Sequence, residues 1–486
     1  MAMKVLGEES PIDIFVKASD ILANAVEHTL GPCGSNTAVC TSSSGVYQII
    51  NDGKSIVQDI TSDDPALAPA IELLKQSCYT TNRNAGDGTT STVLMTNKLL
   101  HLTYDYMKKN QSNPVIIRQQ LLDARDKILD YVDSKKIEIT EDDYESVARV
   151  ALGGKEYSKV ISDAYKFVGK EGTVTFIRED RRDVFLDCQD GITLDKSELK
   201  IVPMKEAREF YDTPVVFLYE KVDRFSEIID LLNHTTNYKG KKVLVFYNEM
   251  SWDASSNIYA NIGSGNIDII PIRLGSYGVN TLDVMKQLAQ YAGTNLIDGL
   301  NIKLATIEDM NTVFGKFSKA LISESKVVVN SENKIENNSD YSLKLQNKSC
   351  IIRVGGVNEV DREETFRRIE DAVSSLSTAI KYGITVGGGL AYLNAFESIC
   401  ADTSLDFLVQ LGETIYKTII YNMCGMRNIP DEYIGLFPGK DSTDDWTELN
   451  SKVYDSIAVI KEVVNNSFTL VAQMITTVKL VHEMIR

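Results

Sequence analysis

Apolar positions recur at helical spacing near both ends of the chain and alternate at its centre. In residues 10–30, Ile14, Ile21, Leu22, Ala25 and Val26 share one face, which predicts an amphipathic helix. Ser10 can cap it, Pro11 suits its first position, Asp13 follows three residues after the cap, and Gly31–Pro32 stop it. Residues 45–50 (GVYQII) read as a short strand closed by the turn Asn51–Asp52–Gly53. Helices are predicted over 65–83 and 89–109, and 112–165 is mostly helical with a break at Gly153–Gly154. The texture then changes. Residues 172–177, 183–188, 213–219, 241–247 and 267–274 pattern as strands, with helical stretches at 225–238, 252–262 and 280–292. That alternation predicts an α/β domain in the middle of the chain. Residues 330–342 are polar and predict a surface turn. From about 357 the pattern is helical again, interrupted by Gly387–Gly389, and 451–485 reads as one long helix with an internal break. Helical ends thus bracket an inserted α/β centre, so both termini contribute to one helical domain.

Composition narrows the function classes. A chain of 486 residues exceeds one ordinary core and predicts two or three domains. The net charge of −17 argues against a nucleic-acid partner, since no basic excess exists to neutralise phosphates. The first residues lack the apolar core of a signal peptide, and no apolar run is long enough to span a bilayer. Seven dispersed cysteines with no CxxC pair predict reduced thiols of a cytoplasm-like compartment. The four histidines fall at no zinc-site spacing.

The candidate chemistry begins at residues 84–94, NAGDGTTSTVL. Gly86 and Gly88 permit backbone conformations that let N–H groups converge on an anion. Thr89, Thr90, Ser91 and Thr92 then open a helix whose free N–H groups and dipole favour phosphate. Asp87 would repel phosphate unless a divalent cation bridges the two, as magnesium does with one or two carboxylates and phosphate oxygens. The competing reading is a plain helix cap by Asp87. Three weaker signals accompany it: TLGPCGSN (29–36), NDGKSI (51–56) and RIEDAV (368–373). Taken singly, these read as a helix stop, a turn and a solvated helix face. No GxxxxGK[ST] loop occurs.

Taken together, TLGP, NDG, AGDGTT, and IED followed by GGG resemble, in order and spacing, the chaperonins of the bacterial and organellar group I type. The resemblance also covers VGKEG (168–172) through Gly191, Gly355 to Gly389, and Asp455 through 474–477. It is weak over the middle of the chain and over 401–450, which suggests a divergent, viral or organellar lineage. It implies a multidomain α+β subunit with a helical equatorial domain (1–133 and 384–486), a small intermediate hinge domain (134–190 and 350–383) and an α/β apical client-binding domain (191–349). In that frame Asp87 holds Mg²⁺ on ATP. Gly88, Thr89, Thr90 and Ser91 cradle the phosphates, and Thr29, Leu30, Gly31 and Pro32 line the α- and β-phosphates. Gly388 and Asp455 meet the ribose, and Asp52 and Asp371 orient the attacking water. Gly191 and Gly383 match hinge glycines, while Asn347 and Lys348 stand where a glycine pair is usual. The stretch 437–449 departs from the family's adenine contact, with Trp446 offering an aromatic ring there. Client binding is expected from Phe225, Ile228, Leu232, Ile258, Tyr259 and Ile262 on two helices, in a groove made more polar by Asn233, His234 and Thr235. The implied cofactors are ATP and Mg²⁺, with K⁺ as a further candidate. The implied partners are copies of the same chain in a ring, non-native proteins, and a separate co-chaperonin lid; no membrane is implied. The expected location is the cytoplasm, the host's for a viral chain. The alternative is an ATPase-weak relative acting as a scaffold.

Overall fold

A computed structural model of the protein describes residues 3–6, 10–40, 47–152, 157–170, 172–190, 192–195, 199–201, 208–238, 240–274, 281–322, 326–333, 348–399, 403–426, 429, 434–438, 446–448 and 453–483. The chain divides into two compact units: 1–166 with 178–185 and 353–486, and 167–177 with 186–352. The centre is therefore an insertion into a unit built from both ends.

In the first unit, eight helices among the described residues contribute to one apolar core: Pro11–Val26, Gly53–Asp59, Leu67–Ala85, Thr89–Asn110, Pro114–Ser134, Leu390–Ile399, Leu408–Cys424 and Ile457–Met474. The faces follow from spacing. Ile14, Phe15, Ala18, Leu22 and Val26 are buried at helical intervals on the first helix. Ile457–Met474 carries a polar stripe through Lys461, Asn465, Thr469 and Gln473, and Val463, Val464, Phe468 and Val471 have no exposed surface. Phe468 meets Phe396 at 6.0 Å between ring centroids. Burial of each such side chain stabilises by about 1.5–3 kcal/mol. Helix ends obey local rules: Asn113 accepts from the Val115 N–H at 2.9 Å, with Pro114 at the first helical position.

Three predicted elements need correction. Residues 451–485 are not one helix. Tyr454–Ser456 and Leu480–Glu483 are strands on either side of the shorter helix Ile457–Met474. Each strand pairs with a segment remote in sequence, Ile384–Val386 and Met3–Leu6 respectively, so the local pattern could not reveal it. The Asn51–Gly53 turn is in fact the start of a helix, Gly53–Asp59, with Asp52 as its cap. Nor are all the cysteines free. Strands Phe185–Asp190 and Lys348–Val354 lie side by side, and Cys188 and Cys350 form a disulfide between them, Cα to Cα 4.0 Å. Cys33, Cys40, Cys78 and Cys424 are free thiols.

The second unit is an α/β layer structure. Its seven-stranded sheet runs Ile192–Asp195, Lys326–Asn330, Phe314–Ile322, Arg208–Leu218, Val243–Tyr247, Ile269–Leu274, Leu199–Ile201. The Arg208–Leu218, Val243–Tyr247 and Ile269–Leu274 strands are parallel and the other pairings antiparallel. The parallel strands are buried on both faces, which is why they read as unbroken apolar runs. Val215, Phe217, Leu244 and Phe246 point to the face that packs the Thr281–Tyr291 helix. Val216, Leu218, Val243 and Val245 point to the face that packs helices Phe225–Thr235 and Trp252–Gly263. Strands 192–195, 199–201, 314–322, 326–330 and 348–354 escape the sequence pattern, because long-range pairing defines them.

Candidate functional site

The site is built within the first unit from four segments that are distant in sequence. The first is the loop before helix Thr89–Asn110. Gly88 has φ +94°, a conformation that side-chain-bearing residues rarely adopt, and a Cβ there would lie 2.9 Å from Val459 Cγ1. Gly88 occupies the cap position with no capping side chain, so the helix-cap reading of Asp87 does not hold. Asp87 accepts from the Gly88 N–H. The hydroxyl row divides its work: Thr92 donates to the Gly88 carbonyl at 2.9 Å and fixes the turn, while Thr89, Thr90 and Ser91 line the adjoining cavity.

The second segment, Thr29–Pro32, follows a short 3₁₀ turn, Glu27–Thr29. Asn422 pins it by donating to the Glu27 and Leu30 carbonyls at 2.9 and 2.8 Å. The third is the Asp52 cap. Its carboxylate accepts from Lys54 N–H at 3.0 Å, Ser55 N–H at 2.9 Å and the Ser55 hydroxyl at 2.7 Å, which fixes its orientation. Gly53 packs on Thr90 so closely that no Cβ fits between them.

The fourth is the helix Glu359–Tyr382, capped by Asn358, whose side chain accepts from the Asp361 N–H at 2.9 Å. Asp371, Ser375 and Thr378 fall on one face at intervals of four and three. Thr378 bonds the Ala85 carbonyl at 3.2 Å and the Ser456 hydroxyl at 3.0 Å, which holds that face over the Asp87 loop. Lys54 approaches Glu370 at 3.7 Å beside Asp371. Behind them, strand Tyr454–Ser456 pairs with Ile384–Val386 and sets Asp455 opposite Thr385. Gly389, at φ +83°, lets the chain turn against the Tyr416 backbone, where a Cβ would come within 2.8 Å.

These segments enclose a cavity of about 490 Å³, the size of a small-ligand site. Thr29, Leu30, Gly31, Pro32, Asp52, Asp87, Gly88, Thr89, Thr90, Ser91, Asp371, Gly388 and Asp455 all line it. One end is apolar, with Ile415, Ile419, Met423, Phe437 and Val453. Phe437 stands edge-on to Tyr416 at 5.5 Å.

The carboxylates strain against one another. Withdrawal from bulk water, then the charges of Asp52, Asp87 and Glu370, push the Asp371 acid well above its usual range; Lys54 opposes this. Asp87 is raised by the same withdrawal and by Asp52, against the Gly88 N–H bond. Withdrawal and then Asp87 push Asp455 up to about 7. Such a cluster is relieved by a cation. Among the described residues no trio of His, Cys, Asp or Glu is spaced as a metal cage. The donor set instead suits a hard ion held by one carboxylate and shared with ligand oxygens, which is magnesium chemistry on a phosphate chain.

Sequence reasoning missed several lining residues: Arg149, Glu364, Arg367, Arg368, Tyr392 and Phe437. Arg368 donates to the Leu152 carbonyl at 3.2 Å and to Glu364 at 2.9 Å. Arg368 and Phe437 fall within the stretches 368–373 and 437–449 and Tyr392 follows Gly388 by four residues, whereas Arg149, Glu364 and Arg367 carry no such signal. Trp446 sits on a strand opposite Pro438, and 439–445 lie outside the described residues.

The expected client groove needs correction. Ile228, Leu232 and Ile258 are core residues of the second unit, at most 3% exposed, because they face the sheet beneath their helices. Phe225 and Ile262 are partly buried against the same core, and Tyr259 is exposed. The apolar side chains these helices present to solvent are Ile229, Trp252 and Tyr259, with Trp252 84% exposed. Gly383 ends its helix at φ +98°, directly before Ile384, which bridges to Ile137. Gly191 and Asn347 lie outside the described residues, and Lys348 opens the strand Lys348–Val354.

Residues 22–207 match the TCP-1/cpn60 chaperonin family. Two crystal structures of the chaperonin gp146 from the bacteriophage EL 2 (Pseudomonas aeruginosa), both in the presence of ATP-BeFx, share the fold. Crystal form II matches with a TM-score of 0.69 at 15% identity, covering 98% of each chain. Crystal form I gives a TM-score of 0.66 at 16% identity, covering 99% of each. Residues 22–207 thus resemble the TCP-1/cpn60 chaperonin family in sequence, and over nearly its whole length the chain shares the fold of the phage chaperonin.

Proposed function

We propose that this protein is a group I-type chaperonin: a ring-forming ATPase that binds non-native proteins and couples hydrolysis to changes in subunit shape. One observation carries this reading. Asp52, Asp87 and Asp371, far apart in sequence, meet at one cavity whose wall includes a helix N-terminus and whose far end is apolar. That arrangement suits a purine nucleotide with its metal. The phage chaperonin structures were determined in the presence of ATP-BeFx, which is consistent with it.

Residues Thr89–Ser91 and the Thr29–Pro32 loop would bind the phosphates through N–H and hydroxyl groups. Asp455 would accept from ribose hydroxyls, and Ile415, Met423, Phe437 and Val453 would exclude water from the base. Asp87 would hold Mg²⁺, whose charge offsets that of the phosphate oxygens. Asp52, its oxygens fixed by three hydrogen bonds, orients the water. Burial and then the charges of Asp52 and Asp87 push the Asp371 acid well above its usual range, and it would help orient the attacking water. Positioning and charge neutralisation carry most of such a phosphoryl transfer. Residues 1–133 with 384–486 would form the equatorial part, 134–190 with 350–383 the intermediate part and 191–349 the apical part. Gly383 and Gly191 would serve as hinges, and K⁺ is a further cofactor candidate.

Ring assembly is supported by a two-stranded sheet with an exposed apolar strand, Thr37–Cys40 with Tyr47–Ile50. Tyr47 and Ile49 are 71% and 56% exposed, and unpaired strand edges invite pairing with another copy. Ile229, Trp252 and Tyr259, flanked by Phe225 and Ile262, are the proposed contact for client proteins. Among the described residues no helix is long and apolar enough to cross a membrane. We place the protein in the cytoplasm, a host's if the chain is viral like its solved relatives, with a separate lid protein as a further partner.

The test is steady-state phosphate release from Mg·ATP. Asp371→Ala should lower kcat by about 10²–10⁴-fold, the range for loss of a positioned acid–base group, with ATP affinity nearly kept. Nucleotide binding without release in the unaltered protein would assign it to the scaffold class instead.

A further inference from the structure

Tyr392 stands in the first turn of the Leu390–Ile399 helix, three residues beyond Gly389, with 2% of its surface exposed. It forms the cavity wall together with Asp87, Gly388 and Asp455. Its hydroxyl makes no hydrogen bond to a described residue and is not among the polar atoms sealed from solvent, so water or a ligand in the cavity supplies its partner. Burial, then the charges of Asp455 and Asp87, hold the phenol protonated, so it is a donor at any ordinary pH.

The direction of donation follows from the neighbours. Asp455 and Asp87 are acceptors when ionised. A ribose hydroxyl can donate to them, but a phosphate oxygen cannot, so the phosphates need donors from elsewhere. The Thr89 helix start supplies donors on one side of the cavity. We propose that Tyr392 is a nucleotide-positioning residue whose hydroxyl donates to a non-bridging oxygen of the α- or β-phosphate. This rests on the cavity being a nucleotide site. It adds a neutral donor to a region already crowded with carboxylates, where it bonds phosphate without disturbing the charge balance with the metal.

Tyr392→Phe removes the hydroxyl and keeps the ring. Titration calorimetry with Mg·ADP and with adenosine, on the assembled full-length protein, reads the contact. The variant should bind ADP about ten- to a hundredfold more weakly, the value of one hydrogen bond to a charged acceptor, and adenosine unchanged. The KM for ATP should rise by the same factor while kcat changes less than about twofold, since the contact is made in ground and transition states alike. Equal weakening of ADP and adenosine would show a packing role and overturn the proposal, as would unchanged ADP binding. Unaltered protein that fails to bind ADP rejects the nucleotide site itself, and does so before any substitution is made. If Y392F loses its native thermal transition, 3-fluorotyrosine introduced at position 392 replaces it. A stronger donor should then tighten ADP but not adenosine, and no change or a weakening overturns the assignment.

Discussion

Asp455 is the residue whose titration is most accessible to experiment. Its ordinary value is 3.8 and it rises to about 7 in the folded protein. The folded state therefore prefers the neutral acid. The stability this contributes is complete below about pH 3.8 and is lost as pH rises through about 7. Asp371 shifts in the same direction. The nucleotide-free protein should lose thermal stability across that window, and Asp455→Asn should flatten the decline. Binding of Mg·ADP near pH 6 should release protons, seen as a calorimetric enthalpy that varies with buffer ionisation heat. A decline unchanged in D455N would remove Asp455 from the account. The residue scale was also the most legible from sequence. Two glycines around one carboxylate permit backbone angles closed to other residues, and Gly86 and Gly88 take φ +77° and +94°. Tyr392 was not legible, because a tyrosine in an apolar helix looks like core until the cavity beside it is seen.

At the scale of elements, the legible parts were those whose signals are local. The Thr89–Asn110 helix starts where its hydroxyl row does, and the parallel strands of the second unit declared themselves by continuous apolar runs. Elements set by distant partners did not. Strand Tyr454–Ser456 exists because Ile384–Val386 lies beside it, and it was absorbed into a helix that follows it directly. The same limit explains the client groove: helical spacing identifies an apolar face, but both core and binding face produce one. Two predictions belong here. Phe468→Ala in the central helix should destabilise the first unit by about 3–5 kcal/mol, read by denaturant unfolding. Gly88→Ala should cost about 1–2 kcal/mol for the left-handed backbone and abolish nucleotide binding, because the added Cβ meets Val459. Full ADP affinity in G88A would show that this loop does not shape the site.

At the scale of the whole molecule, the insertion of an α/β unit into a helical one was visible as a change of texture along the chain, and the two compact units reproduce it. The pairing of Cys188 with Cys350 was not visible, since 162 residues separate them and only the sheet brings them together. Assembly is argued from exposed edges. Ile49→Asp places a charge at an exposed apolar position of the Tyr47–Ile50 strand. Sizing chromatography should show a very large particle for the unaltered protein and dissociated subunits for the variant; a large I49D particle would move the interface elsewhere.

The proposed mechanism requires three carboxylates to meet at a metal-bound nucleotide. Phosphate release from Mg·ATP by purified protein, measured beside Asp371→Ala, tests it most directly. Turnover in the unaltered protein, with a loss of about 10²-fold or more in the variant and ADP affinity retained, is the result predicted. No turnover in either, or equal turnover in both, would contradict it.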